Sequence, residues 1–469
     1  MNGFTLILPE LFQTFIVIVL FTLAISKLNK CFSWFPILTG VGVLVSAASL
    51  FNSGTLFYGT YQVDLLSQIF KLTIATGFFI FSFLGVKNKT VEEERKPDYL
   101  MLLSLSVLGL MLLTSSIELI TIYIALEIAS YAFYAVVPLR AKSKEAAEAG
   151  IKYIMFSAVM TAISLYGLSF IYADAHTTFL SQFKNIGWTL TAHPMATVGL
   201  SLFIMGFLFK IALFPFHFWV PDAYEGMSNE TAAYLATIPK LGSLIVLIRI
   251  FEAVYPSPPI ASLLAVFAAL AMVAGNITAL VQTDIKRILG YSSVAHAGYM
   301  TTALLVQTKD SLANVVFYAI GYIFMNLLAF WIVSTVSKNG ENLSFDNFKG
   351  LYKKAPAMAF AITVAAMALT GLPPTAGFIG KFFLLTGAWD KGFNWLIILA
   401  ALNTAIAAYY YLKFVRFSYT EENNEIEEKS IGSFLDNSMV LILSVIIFII
   451  GIFPSPVYQL AIKATNMLK

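Results

Sequence analysis

About fourteen stretches of some twenty mostly apolar residues run almost end to end through this 469-residue chain. They lie near 4–26, 34–52, 64–86, 99–115, 117–138, 150–172, 195–219, 230–251, 258–281, 287–306, 312–336, 357–388, 393–419 and 437–462. A helix needs about 20 apolar residues to cross the hydrocarbon core of a bilayer, where every backbone polar group must be satisfied from within the protein. The pattern leaves one fold class, an all-α polytopic membrane protein. Composition agrees: 59% of the residues are hydrophobic and 12% charged, where soluble domains carry roughly 45–50% and about 25%. The loops are short and no Pro/Gly/Ser linker divides them, so residues 1–469 read as a single integral membrane domain. The first run lacks a basic leader and a small-residue cleavage site and is read as a span, not a signal peptide.

Lys and Arg in alternate loops set the orientation. The loops at 27–33, 87–98, 139–149, 282–287, 338–356 and 413–429 hold about 18 of them, against about 5 in the opposite set. Both termini are therefore expected outside, with the basic loops in the cytoplasm of a bacterial-type inner membrane or an equivalent energy-coupling membrane. An acidic stretch at 420–436, with Glu421, Glu422, Glu425, Glu427 and Glu428, reads as a solvated cytoplasmic loop.

Several chemistries are excluded. The formal charge of +3 gives no sign of nucleic-acid binding, and the one cysteine, Cys31, rules out disulfides, thiolate metal cages and iron–sulfur ligation within the chain. No Gly-rich nucleotide loop follows a strand, and no His pair has metal-ligand spacing. Any redox chemistry therefore belongs to partners. The 41 Phe residues read as packing and lipid-facing groups.

Four ionisable residues, Glu127, Lys210, Lys240 and Lys381, stand mid-way along apolar runs. A charge at the bilayer centre costs roughly 2.5–3.5 kcal/mol on insertion scales, so such residues mark ion or proton paths. Lysine can give up its proton when buried, which arginine cannot. A buried carboxylate must be neutral or paired, and Glu127 is expected to pair with Lys210. Lys240, after Pro239, is the natural middle of a row ending at Lys381. His296 and His217, the histidines inside spans, are further candidates, since neutral imidazole both donates and accepts a proton. Lys71 reads as a snorkelling lysine near the outer end of its span, and Glu118 as an interfacial carboxylate. Lys286 and Arg287 read as inner-surface charges, and Asp222 and Glu225 as solvated loop carboxylates, with a proton entry or pairing with such bases as the alternatives.

Two spans are interrupted. Phe-Pro-Phe-His (214–217) follows Lys210, and Gly-Leu-Pro-Pro-Thr-Ala-Gly (371–377) splits a run too long for one crossing. Proline removes a donor and frees carbonyls, and paired breaks in two halves are a sign of inverted repeats with the functional site between them. Each break has a lysine within about two helical turns.

These motifs resemble a known family. Phe-Leu-Phe-Lys-Ile-Ala-Leu-Phe-Pro-Phe-His-Phe-Trp-Val-Pro-Asp-Ala-Tyr-Glu-Gly (207–226), Ile-Pro-Lys (238–240) and Gln-Thr-Asp-Ile-Lys-Arg-Ile-Leu-Gly-Tyr-Ser-Ser-Val-Ala-His-Ala-Gly-Tyr (282–299) are similar to the core signature of the antiporter-like membrane subunits of complex I. Leu-Pro-Glu (8–10) and Gly-Leu-Pro-Pro-Thr-Ala-Gly-Phe-Ile-Gly-Lys-Phe (371–382) look most like its N-type members, as does an end soon after the last span. The resemblance implies fourteen helices with two inverted five-helix repeats, 98–256 and 257–419. It implies Glu127 and Lys210 as a charged pair, Lys240 as the central relay and Lys381 as the lysine of a second channel. It also implies quinone, flavin and iron–sulfur clusters in partner subunits, with M-type and K-type membrane neighbours and lipids around the chain. Met-Ser-Asn-Glu-Thr (227–231) departs from the Pro-containing segment usual there, which leaves that loop's conformation open. The expected activity is proton translocation coupled to electron transfer elsewhere. The competing readings are a subunit of a multi-subunit cation/proton antiporter and a non-pumping scaffold.

Overall fold

The computed structural model describes residues 3–26, 32–140, 143–254, 258–337, 339–389, 391–421 and 431–468. Cys31 and most of the acidic stretch (422–430) lie outside the described residues. The chain is a bundle of helices: α1 (Leu8–Ser26), α2 (Phe35–Ala48), α3 (Leu65–Lys87), α4 (Lys96–Ser115), α5 (Leu119–Val136), α6 (Lys144–Ala175), α7 (Pro194–Lys210) and the short α8 (Trp219–Gly226). They are followed by α9 (Asn229–Ala253), α10 (Pro258–Leu280), α11 (Ile285–Val306), α12 (Lys309–Val336), α13 (Pro356–Thr370), α14 (Ala376–Trp389), α15 (Asn394–Ser418), α16 (Phe434–Ile452) and the terminal α17 (Ser455–Asn466). Among the described residues ten helices are long and apolar enough to cross a membrane, and four shorter apolar ones join them, including both halves of the split 357–388 run.

The helix starts are written in the sequence. Asp64, Ser143, Ser228, Asp284, Thr308 and Ser433 each accept a backbone N–H of the first turn, and Pro36, Pro97, Pro194 and Pro356 occupy first-turn positions where no donor is missed. Glu118, read as an interfacial carboxylate, is the buried cap at the start of α5, accepting from Thr121 N at 2.8 Å.

α9 and α12 form the centre, with 94% of the apolar stretch of each buried, while α1, α6 and α15 hold a third or less inside and face outwards. α11 packs against α9, α10 and α12. It is absent from the strongly apolar spans because it carries Ser292, Ser293, His296, Thr301 and Thr302, all buried. A span shielded from lipid on every side has no need of an apolar surface.

A two-stranded hairpin, β1 (Gly54–Leu56) with β2 (Tyr61–Val63), was not foreseen. Its antiparallel register pairs Leu56 with Tyr61, and it turns through Tyr58 and Gly59 at positive φ.

Candidate functional site

Each broken helix closes in the same way. α7 ends at Lys210, Ala212 takes φ 67°, and Leu213 N bonds Leu208 O at 2.9 Å. α13 ends at Thr370, Gly371 takes φ 89°, and Leu372 N bonds Met367 O at 2.8 Å. Both are left-handed C-terminal caps with a six-to-one bond. Phe214–Pro215 and Pro373–Pro374 are both cis. The last carbonyls of a helix carry partial negative charge, a natural seat for an ammonium group.

Lys381 uses that seat. It lies on α14 and donates back across the break to Leu369 O (3.1 Å) and Thr370 O (2.8 Å), with its ammonium 4.5 Å from the centre of the Tyr299 ring. Glycine at 371 serves both the backbone turn and this approach, since a Cβ there would meet Lys381 Cδ at 2.9 Å.

Lys210 donates to Ser157 Oγ (2.9 Å) and Tyr134 OH (3.3 Å), which also bond each other. The rings of Tyr134, Tyr153 and Phe209 surround the ammonium at 5.3–5.8 Å. The expected ion pair with Glu127 is not formed: Glu127 Oε1 accepts from Thr161 Oγ1 at 3.0 Å, and no Lys210 contact within 4 Å joins it. Both residues line one small cavity with roughly the room of a single water molecule. The Ser157 and Thr161 hydroxyls compete for the two charges, so the pair stands open in this conformation.

Lys240, 1% exposed, donates to Tyr322 OH at 3.2 Å. The Tyr322 ring lies 5.5 Å from that of His296, whose Nδ1 is 2.6 Å from Tyr318 OH. His296 in turn lies 6.2 Å from the Tyr299 ring, which carries the Lys381 ammonium on its face. The structure thus brings Lys240, His296 and Lys381 into one buried cluster through Tyr322, Tyr318 and Tyr299. Sequence reasoning missed these tyrosines, although His296 and Tyr299 (i, i+3) and Tyr318 and Tyr322 (i, i+4) have the spacing of shared helix faces.

Lys210 and Lys240 are not in contact. Tyr153, over the Lys210 ammonium, packs tilted at 4.8 Å on Trp219, Phe133 stacks at 5.5 Å on Tyr234 of the helix that carries Lys240, and the buried Tyr234 and Tyr224 hydroxyls make no hydrogen bond among the described residues. A proton crossing there needs bridging water. His217 is not brought to the row: it sits between Phe214 and Phe218, and its Nδ1 is buried and unbonded.

Two further expectations are corrected, and one open reading is decided. Lys71 is wholly buried and pairs with Glu10 at 2.6 Å, so it does not snorkel. Lys286 is likewise at 0% exposure, because its ammonium turns inward onto the carbonyls of Glu225 and Met227. For Asp222 and Glu225 the structure shows the pairing alternative: both bond Arg287 (2.9 and 2.6 Å), and Asp222 also Lys152 (2.9 Å). Burial raises the Asp222 carboxyl, but the bonds from Lys152 and Arg287 outweigh it and hold it below the usual carboxylate range.

Residues 116–407 match the family model described as NADH:quinone oxidoreductase/Mrp antiporter, TM. A relative named NADH-quinone oxidoreductase subunit N 2, from Solidesulfovibrio magneticus, is 49% identical over 463 residues, covering 98% of each chain. The F(420)H(2) dehydrogenase subunit N of Methanosarcina mazei is 33% identical over 425 residues, covering 88% of this chain and 86% of that one. A chain of respiratory complex I from Thermus thermophilus with bound aureothin superposes with a TM-score of 0.83 at 29% identity, over 97% of this chain and 99% of that one.

Proposed function

The chain belongs to the NADH:quinone oxidoreductase/Mrp antiporter family of membrane proteins, and on that premise we propose that it is an N-type, proton-translocating subunit of a complex I-like quinone oxidoreductase. The observation that carries this reading is the buried run Lys240–Tyr322–His296–Tyr299–Lys381, set beside a second lysine site at the other helix break. Titratable groups and tyrosine hydroxyls gathered in one buried cluster, with water to bridge the gaps between them, are suited to passing protons.

In this reading Glu127 and Lys210 are the switch. Drawing the carboxylate towards the ammonium keeps the proton on Lys210. Parting them, as seen here, frees it to move through the Ser157 and Tyr134 hydroxyls and bridging water towards Lys240. His296 and the tyrosines then pass it to Lys381, whose seat on the α13 carbonyls holds the charged form until release. Two inverted repeats, 98–256 and 257–419, place one lysine-bearing break in each half. Electron transfer, with its quinone, flavin and iron–sulfur clusters, takes place in partner subunits, and the chain itself acts as the translocase part without a redox centre. M-type and K-type subunits are its expected membrane neighbours. The basic loops face the cytoplasm and both termini the outside.

In the assembled complex, Lys210→Ala, Glu127→Ala or Lys240→Ala should lower coupled proton pumping on the order of 10²-fold while the subunit remains in the membrane. Lys381→Ala should slow quinone reduction as well, because a blocked pump holds back the electrons. Unchanged pumping and quinone reduction in assembled variants would leave only a scaffold. Cation/proton exchange without quinone reduction would instead support the antiporter reading.

A further inference from the structure

At the end of the bundle that carries the basic loops, two buried charges lack ion-pair partners among the described residues. Glu230, in the first turn of α9, is 6% exposed; Oε1 accepts from Ser334 Oγ of α12 at 2.6 Å and Oε2 is buried with no bond. Lys286, at the start of α11, donates only to the carbonyls of Glu225 and Met227, at 2.9 and 2.6 Å. The relay described above uses neither.

From Glu230 a line of polar groups leads inward. Asn229 is fully buried with both amide atoms unbonded, and at 3.6 residues per turn it shares a stripe of α9 with Lys240. Tyr224 OH and Ser293 Oγ are also buried and unbonded, and Ser293 lies close to both the Tyr224 and the Tyr322 hydroxyls. Tyr322 OH receives the Lys240 bond. Polar groups left without a protein partner at such depth are sites where bridging water would be held. Glu230 and Lys240 are about 15 Å apart along the helix, a gap that a proton crosses only with water bridging these groups.

We propose that Glu230 is the proton-collecting carboxyl of an inlet that feeds Lys240 from the basic surface, along the interface of α9, α11 and α12. The proposal rests on the relay reading given above. Around Glu230 stand Lys286 from α11, Arg140 after α5, Tyr99 from α4 and Ser334 from α12; Arg140 binds the backbone of 225–227 and 340, and Tyr99 OH lies 3.2 Å from Thr231 Oγ1. These groups shape the site, with the two cations stabilising the carboxylate form, and Glu230 binds and releases the protons.

The test uses the assembled complex in proteoliposomes, with proton translocation driven by its own electron transfer. Glu230→Gln keeps the shape and can still accept from Ser334 but carries no proton, and should slow pumping tenfold or more. Glu230→Asp should recover much of the rate, and Ser334→Ala should lose little. Wild-type pumping in Glu230→Gln overturns the proposal, as does an equal loss in all three variants, which marks a packing role. Should Glu230→Gln fail to assemble, dicyclohexylcarbodiimide on the unaltered complex decides. A mass-spectrometric adduct on Glu230 with lost pumping supports the inlet, and no adduct there overturns it. Lys240→Ala is run in parallel: if it stops pumping and Glu230→Gln does not, the relay stands and the inlet falls. If neither affects pumping, the relay reading itself falls.

Discussion

Lys71 shows what a single residue can hide. Taken along its own helix it is a lysine near the end of a span, free to reach for water. Its partner Glu10 arrives from α1, sixty-one positions earlier, and Tyr61 on the hairpin donates to the same Glu10 oxygen at 2.6 Å. Close by, Arg249 grips both oxygens of Asp64 at 3.0 Å and also bonds Thr114 O. Removing one member of a buried pair leaves the other charge in an apolar setting, which costs about 3–5 kcal/mol. Lys71→Met should therefore lower the thermal inactivation temperature of the detergent-solubilised complex, and Lys71→Met with Glu10→Gln should restore most of it. A single variant as stable as the parent would show that the pair contributes nothing.

At the scale of elements, the fold depends on close backbone approaches. A Cβ at Gly377, in the first turn of α14, would lie 1.7 Å from Ala368 O on the facing half-helix. Gly377→Ala must push α13 and α14 apart, moving the carbonyls that hold Lys381. The subunit should be recovered at a small fraction of normal levels, measured as assembled complex per membrane protein. Normal assembly with normal pumping would show that the break tolerates the shift. α8 is held differently, by the Lys152–Asp222–Arg287–Glu225 clamp. Because the folded Asp222 carboxyl is held below its usual range, its contribution is fully present above the unfolded value of about 3.9 and is lost as pH falls through the folded one. Hydrogen exchange of residues 219–227, corrected for intrinsic rates, should stay flat from neutral pH down to about 4 and rise only below it. A rise near neutral pH would mean that another group controls the clamp.

For the whole molecule, orientation is the property that decides which way protons travel. With Cys31→Ser as background, Thr191→Cys should react with a membrane-impermeant maleimide in intact cells, and Lys349→Cys only in inverted vesicles. The reverse pattern would turn the molecule over. The spans, the two breaks and the intramembrane charges were legible in sequence because each is local: a run of apolar residues, a proline inside it, a lysine where lipid would forbid one. The split of 357–388 into Pro356–Thr370 and Ala376–Trp389 and the end of α7 at Lys210 follow from those signals. Partnerships were not legible. Glu127 takes Thr161 while Lys210 takes Ser157, Lys286 turns inward, and Tyr322 takes Lys240 while its helix neighbour Tyr318 takes His296. What the sequence determined by itself was which segments enter the membrane and which costly groups they carry, since the bilayer tests each segment separately. Which of those groups meet was decided only by tertiary structure, because a buried charge accepts whichever neighbouring helix brings a hydroxyl, a carbonyl or a ring within reach.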